Sequence, residues 1–248
     1  TLLAAAPDVV IDVGEPKGSI VEDMDALQEQ TGIPFVHIDA YLASMDDTYA
    51  LLSDLLAMPN EGQALADYCR AAYDRVKEIA GKVDKVDMLY VTGEEGLNVI
   101  AKGSYHAEVI DLLCNNLAVV DEPSSKGTGN EVDMEQILNW NPSVVVFAPG
   151  SNYATVGSNE NWKTIPAIKD GKYYEVPMGP YNWMGFPPSV QRILGMQWMA
   201  KVLYPEAADY DMFETTQTYF TLFYHWDLTA EEYSALVANS LPGVEMAA

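Results

Sequence analysis

Short apolar runs alternate with stretches of helical spacing along most of the chain. Val9-Val-Ile-Asp-Val13, bounded by Pro7-Asp8 and Gly14, predicts a buried strand. Ser19, with Glu22 three residues on, predicts a capping box that opens a helix over 20–30, and Gly32 ends it. Pro34-Phe-Val-His-Ile38 is the next strand, so 9–38 is expected to form a right-handed parallel βαβ unit. A helix is expected over 46–57, with Pro59-Asn60 as its breaker. From Glu61 to Lys82, Leu65, Cys69, Ala72, Val76 and Ile79 recur near one face of a helix about 33 Å long, enough to pass from one lobe to another.

A second α/β series begins at Val86-Asp-Met-Leu-Tyr-Val91. Its pattern predicts a short strand over 97–100, a helix over 105–116, a polar loop over 123–130 and a helix over 134–140. Ser143 to Phe147 is nearly continuous in apolar residues, as in a parallel strand covered on both faces. A last strand over 172–176, a helix from Pro188 to Leu203, and two helices over 211–225 and 230–238 complete the pattern. The fold class is α/β, with mainly parallel sheets in two lobes. No fixed-period repeat and no low-complexity tract interrupts it.

Composition narrows the function. The 248 residues are 49% hydrophobic, enough for a sizeable core. Thirty-seven acidic against 13 basic residues give a net charge of −24, which argues against nucleic acid and anionic membrane surfaces as partners. No apolar run approaches the roughly 18 residues of a membrane span. Cys69 and Cys114 lack metal-site or redox spacing and read as buried thiols, with a disulfide left open. Thr1 is not a natural start, so the chain is expected to lack its native N-terminus and leader.

Trp162-Lys-Thr-Ile-Pro-Ala-Ile-Lys-Asp-Gly-Lys-Tyr-Tyr-Glu-Val-Pro177 carries the most specific signal. It follows Ser143-Val-Val-Val-Phe-Ala-Pro149 and leads into Gly179-Pro-Tyr-Asn-Trp-Met-Gly-Phe-Pro-Pro188. With Leu2-Leu-Ala-Ala-Ala-Pro-Asp-Val-Val-Ile11, Gly32-Ile-Pro-Phe-Val36 and Met134-Glu-Gln-Ile-Leu-Asn-Trp-Asn-Pro-Ser-Val-Val-Val-Phe147, it resembles the ABC-importer substrate-binding proteins for iron complexes, siderophores, haem and cobalamin, of the helical-backbone periplasmic binding protein superfamily. The resemblance implies a partial N-terminal lobe over 1–58, a backbone hinge helix over 59–83 and a C-terminal lobe over 84–248. By analogy with lobe sizes, about 60–90 residues are expected ahead of Thr1. It implies an extracytoplasmic protein, periplasmic or lipid-anchored, that captures a metal chelate between two lobes and hands it to a membrane permease. Neither catalytic residues nor a resident cofactor is implied.

Ligands of open parallel sheets sit beyond the strands' carboxyl ends. That rule points to Lys17 after the first strand, Tyr41 after the second, and Lys102, Ser104, Tyr105 and His106 after the strand ending at Ile100. It adds Asn152 and Tyr153 after Phe147, and Tyr181, Asn182, Trp183 and Met184 after Val176, with Arg192 one turn into the next helix. Gly103 and the following helix start would offer backbone N–H groups to an anion. The aromatic and Met side chains of 181–186 suit the flat face of a porphyrin, corrin or catecholate. Arg192 would pair with a ligand oxyanion through its planar fork. By position, Glu135 matches the acidic residue with which this family's second lobe meets its permease, the first lobe's counterpart being expected before Thr1.

Three other readings stand beside this one. An oxyanion such as molybdate, held by backbone N–H groups and hydroxyls, suits an acidic chain and is the runner-up. A bare transition metal needs several converging histidines, whereas only His37, His106 and His225 are available and they are widely separated in sequence. An α/β enzyme has no support from a GxSxG, P-loop or GxGxxG motif.

Overall fold

The structure is a computed structural model that describes residues 2–241. The chain divides into two compact units, residues 1–70 and 71–248. The division falls inside one helix.

The first unit opens with α1 (Leu2–Ala5), β1 (Val10–Gly14), α2 (Ile20–Thr31) and β2 (Phe35–Asp39). β1 and β2 pair in parallel, with Asp12 opposite His37. α2 ends on Gly32 in the left-handed conformation at φ 69°, where glycine carries no Cβ penalty. The capping box expected at Ser19 does not form: the Ser19 hydroxyl donates to the Asp23 carboxylate at 2.8 Å, a side-chain contact, so it caps no backbone N–H. α3 (Met45–Leu56) follows a 3-10 turn at Leu42–Ser44. Pro59 begins α4 (Pro59–Ala80) and so acts as a helix starter, because a proline at the first turn gives up an N–H that has no intrahelical partner. Cys69 on α4 is buried, and burial pushes its thiol up to about 12, with the Asp46 carboxylate adding to the shift.

The second unit is built on one sheet. β3 (Asp87–Thr92) lies at its centre, paired in parallel with β7 (Val144–Phe147), which pairs in parallel with β8 (Tyr173–Glu175). On the other side of β3, β5 (Asn115–Asn116) pairs in parallel at the start of the strand, and β4 (Asn98–Val99) pairs antiparallel at its end. β6 (Asn130–Glu131) extends the sheet antiparallel to β4, inside what the pattern predicts as loop. The predicted 105–116 helix is shorter: a 3-10 turn at Tyr105–Ala107, then α5 (Glu108–Leu113), then β5.

Strand alternation sorts the core into two faces. Leu89, Val91, Val145 and Phe147 pack with Ile137 of α6 (Met134–Trp140), Ala167 and Ile168 of α7 (Pro166–Lys169), and Trp162 of the preceding 3-10 turn. Thus much of the Trp162–Pro177 signature is core: the tryptophan meets the Phe147 ring edge-on at 5.4 Å between centroids. The alternate residues Met88, Tyr90 and Val146 face the other layer, where Cys114 Sγ approaches Met88 Sδ at 3.7 Å. Cys114 is likewise a free buried thiol, raised by burial, so no disulfide joins the two cysteines.

α8 (Gln191–Leu203) starts three residues after Pro188 and is buried at every position from Gln191 to Ala200. Such a helix carries polar residues only if they are satisfied. Gln191 donates to the Gly179 carbonyl at 3.1 Å and accepts from the Tyr224 hydroxyl at 2.7 Å. Gly195 on α8 lets the chain at Trp183 pass close by: a Cβ there would fall 1.8 Å from the Trp183 carbonyl oxygen. α9 (Met212–Tyr224) and α10 (Ala230–Val237) follow. An Asp211 carboxylate caps α9, and Thr229 with Glu232 forms a capping box on α10. Among the described residues no helix is long and apolar enough to cross a membrane.

Candidate functional site

Because β3, β7 and β8 run the same way, the loops after Thr92, Phe147 and Glu175 emerge at one edge of the second unit's sheet. Contacts knit them together. Gly96 lies against the Asn152 amide, where a Cβ would sit 2.3 Å from Oδ1. The Thr92 hydroxyl donates to the Thr128 carbonyl at 2.6 Å and so draws the 124–130 loop to the same edge. Gly127 of that loop lies under the Phe186 ring, with a Cβ position 2.1 Å from Cδ2.

The loop after β8 presents three large apolar side chains to solvent: Met178, Tyr181 and Phe186 are 54, 48 and 55% exposed. Beneath them, three residues expected at the ligand are interior. Trp183 and Met184 are 0 and 1% exposed, and the indole N–H donates to the Gly179 carbonyl at 2.9 Å. The buried Asn182 donates to the Tyr90 hydroxyl at 3.2 Å and accepts from the Met184 N–H at 2.7 Å. These three hold the shape of the loop that bears the exposed ones. A groove of about 560 Å³ opens beside Met178, lined also by Phe220, Trp226, Leu228 and Leu236 among others.

Arg192 is 1% exposed, and its fork is occupied within the protein. One terminal nitrogen pairs with the Glu108 carboxylate and donates to the Tyr105 carbonyl at 3.2 Å. The other donates to the Tyr105 hydroxyl at 2.9 Å, and the guanidinium lies 4.4 Å from that ring's centroid. The expectation of an oxyanion partner for Arg192 is therefore corrected: the carboxylate it pairs with is Glu108. Tyr105 is buried in the same cluster, and His106 beside it contacts the carbonyls of Gly185 and Ser125.

The anion-binding turn expected at 102–104 is closed from within. β4 is antiparallel to β3, so the rule that places ligands at parallel carboxyl ends does not apply to the residues that follow it. The Gly103 N–H donates to the Asp111 carboxylate at 2.7 Å, and the Lys102 and Ser104 N–H groups donate to the carbonyls of Ala118 and Ala101. The Lys102 side chain is exposed. Lys17 is exposed in the first unit, and Tyr41, 39% exposed there, precedes the 3-10 turn.

Asn152 and Tyr153 diverge. Tyr153 packs its ring on Phe147 and Tyr173 at 6.1 and 5.6 Å. By contrast, Asn152 Oδ1, Ser151 Oγ and Ser104 Oγ are buried atoms without a hydrogen-bond partner. Unsatisfied buried groups are rare, and they mark places where a water or a ligand completes the set. The loop 92–97 belongs to this edge although no strand-end rule applied to the sequence pointed to it. Its Gly93 and Gly96, at φ 79° and 71° directly after an apolar strand, were the available sign. Among the described residues no group of three or more His, Cys, Asp or Glu converges as a metal site.

The knitted carboxyl edge is where an open parallel sheet places a ligand. The model of the family described as periplasmic binding protein matches residues 1–178, and the chain belongs to that family. It is 32% identical over 196 residues to the molybdate-binding protein MolA of Haemophilus influenzae, covering 75% of this chain and 53% of the relative. It is 26% identical over 190 residues to a vitamin B12-binding protein of Vibrio campbellii, covering 76% of this chain and 66% of the relative. The chain thus spans about half to two thirds of the length of these curated relatives. Among solved structures, an ABC transporter solute-binding protein from Sulfurospirillum deleyianum superposes with a TM-score of 0.88 at 27% identity, covering 96% of this chain and 74% of that one. These relatives are binding proteins rather than enzymes.

Proposed function

We propose that the chain is the ligand-binding part of an extracytoplasmic solute-binding protein of an ABC importer, and that its ligand is a metal complex with a broad apolar face, of the corrinoid, haem or siderophore class. The observation that carries this reading is the trio Met178, Tyr181 and Phe186, held out to solvent by a loop whose interior is packed and hydrogen-bonded. Large exposed apolar side chains fixed on a rigid base are what a flat chelate rewards, since little side-chain ordering remains to be done on binding. The similarity to a vitamin B12-binding protein supports the same class. In this reading Asn152 and Ser151 orient the polar rim of the ligand, Lys102, Ser104 and Tyr153 are secondary contacts, and α4 carries the chain from one unit into the other.

The oxyanion reading is the second. Partnerless hydroxyls on Ser104 and Ser151 are donors of the type an oxyanion takes, and MolA is a relative. The exposed acids Glu94 and Glu95 in the loop after β3 weigh against a bare dianion. Titration of the full-length protein with cyanocobalamin, a ferric catecholate and molybdate separates the two. Binding of a chelate with no response to molybdate is expected; the reverse overturns the chelate reading.

Delivery to a permease is the second half of the role. Glu135 is exposed on the first turn of α6, where a carboxylate also favours the helix dipole. Glu135→Arg is expected to leave ligand affinity unchanged and to impair uptake into cells, because a rim charge sets docking register and encounter rate. Normal uptake would remove Glu135 from the interface.

A further inference from the structure

His106 is buried, and its two ring nitrogens face carbonyl oxygens on two different loops. Nδ1 lies 2.8 Å from the Gly185 oxygen and Nε2 lies 3.2 Å from the Ser125 oxygen. The same two loops meet again close by, where Phe186, next to Gly185, rests on Gly127, two residues after Ser125. The ring itself is anchored from behind. Its neighbour Tyr105 is held at both carbonyl and hydroxyl by Arg192, and the Tyr105 ring meets it edge-on at 6.0 Å. Arg192 also backs Gly185, whose Cβ position would lie 3.1 Å from the Arg192 Cδ. Gly185 has φ 122°, a conformation that glycine reaches without a Cβ clash and other residues rarely adopt.

We propose that His106 is a positioning residue for ligand capture: bridging the 185–186 and 124–129 loops, it fixes the Phe186 ring against Gly127 and so presents one aromatic face, already ordered, to the incoming ligand. This rests on the chelate reading given above. The imidazole suits the task because it is rigid: a neutral ring donates its single N–H to one of the two carbonyls and packs its other edge against the second, so one flat group separates the two loops at a fixed distance. With the bridge removed, the two loops move independently and only a fraction of molecules carry Phe186 in place. Apparent affinity falls by that fraction, through association rather than dissociation.

The test uses the full-length protein, cyanocobalamin as probe and three variants. His106→Phe keeps ring volume and removes both nitrogens; His106→Gln keeps an N–H donor; Gly127→Ala displaces Phe186 from the opposite side and leaves His106 intact. His106→Phe and Gly127→Ala are expected to slow association by about tenfold with dissociation little changed, and His106→Gln to recover most of the rate. Without ligand, hydrogen exchange in His106→Phe is expected to quicken at 124–129 and 185–186 and to stay as in the parent in β3 and α8. Unchanged exchange in both loops overturns the bridge, whatever the ligand. Faster exchange with parental cyanocobalamin kinetics overturns the role in capture. A parent protein that fails to bind cyanocobalamin, a ferric catecholate or any related chelate overturns the chelate reading itself. Should His106→Phe fail to fold, Gly127→Ala decides: parental association rates in that variant overturn the proposal.

Discussion

At the scale of single residues, chemistry and location part company in the 181–192 segment. Trp183, Met184 and Arg192 have the side chains a ligand site would use, and the protein uses them on itself. An indole and a thioether fill a core as well as they cover a corrin, and a guanidinium fork fits an internal carboxylate as well as a ligand's. Residue type alone therefore could not separate the two uses; what separates them is which side of the loop each faces, and that depends on α8 packing beneath it. The consequence for Arg192 is testable. Arg192→Met would leave the Glu108 carboxylate and the Tyr105 carbonyl without their partner in a mostly buried setting, and breaking a buried pair on one side costs about 3 kcal/mol. Urea denaturation is expected to show a lower midpoint with an unchanged slope. A loss below about 1 kcal/mol would mean that water reaches Glu108 and replaces the guanidinium.

At the scale of elements, what the pattern disclosed depended on length and periodicity. β3 and β7 are apolar runs, and α4, α6, α9 and α10 carry clear helical spacing or caps; each was legible to within a few residues. β5 and β6 are two residues long and owe their existence to neighbours in the sheet, so no local signal announces them, and β4, legible as a strand, gave no sign that it runs antiparallel. That direction is what misplaced the 102–104 turn. Ser19 and Thr229 show the limit of cap motifs: both have an acid at the third following position, but only Thr229 closes the box, its Oγ1 accepting from the Glu232 N–H at 3.2 Å while the Glu232 carboxylate accepts from the Thr229 N–H at 2.8 Å. Those bonds from the Thr229 N–H and hydroxyl hold the Glu232 carboxyl below its ordinary value of 4.5. A lowered carboxyl value stabilises the helix above that ordinary value, and the contribution is lost as pH falls through the lowered one. Thr229→Ala is expected to cost about 1 kcal/mol at neutral pH and to quicken hydrogen exchange over 230–237. The gap between variant and parent should narrow on acidification, as the parent loses its own Glu232 contact. A gap that is constant across that range would assign the cost to the bond from the Glu232 N–H to the Thr229 hydroxyl, which does not titrate.

At the scale of the whole molecule, 37 acidic residues against 13 basic ones leave a field that the fold does little to cancel. Several ion pairs are local, such as Lys82 with Glu78 and Lys163 with Glu160, at 2.5 Å each, and exposed pairs of this kind contribute little. Most carboxylates therefore repel one another across the surface, and the compact state carries more of that repulsion than the unfolded chain, in which the same charges stand further apart. Salt shortens the reach of this term from about 30 Å at 0.01 M to about 8 Å at 0.15 M. Screening also weakens the few attractive pairs, but these are short-ranged and far outnumbered. Raising sodium chloride over that range is expected to stabilise the protein by about 1 kcal/mol, seen as a rise in Tm of about 2–4 °C for a chain of this size. Sodium chloride is the right probe, because sulfate would stabilise by exclusion from the surface whatever the charge. A Tm that is flat or falls with sodium chloride would show that the attractive pairs outweigh the repulsion, and that the acidic surface is organised as a network.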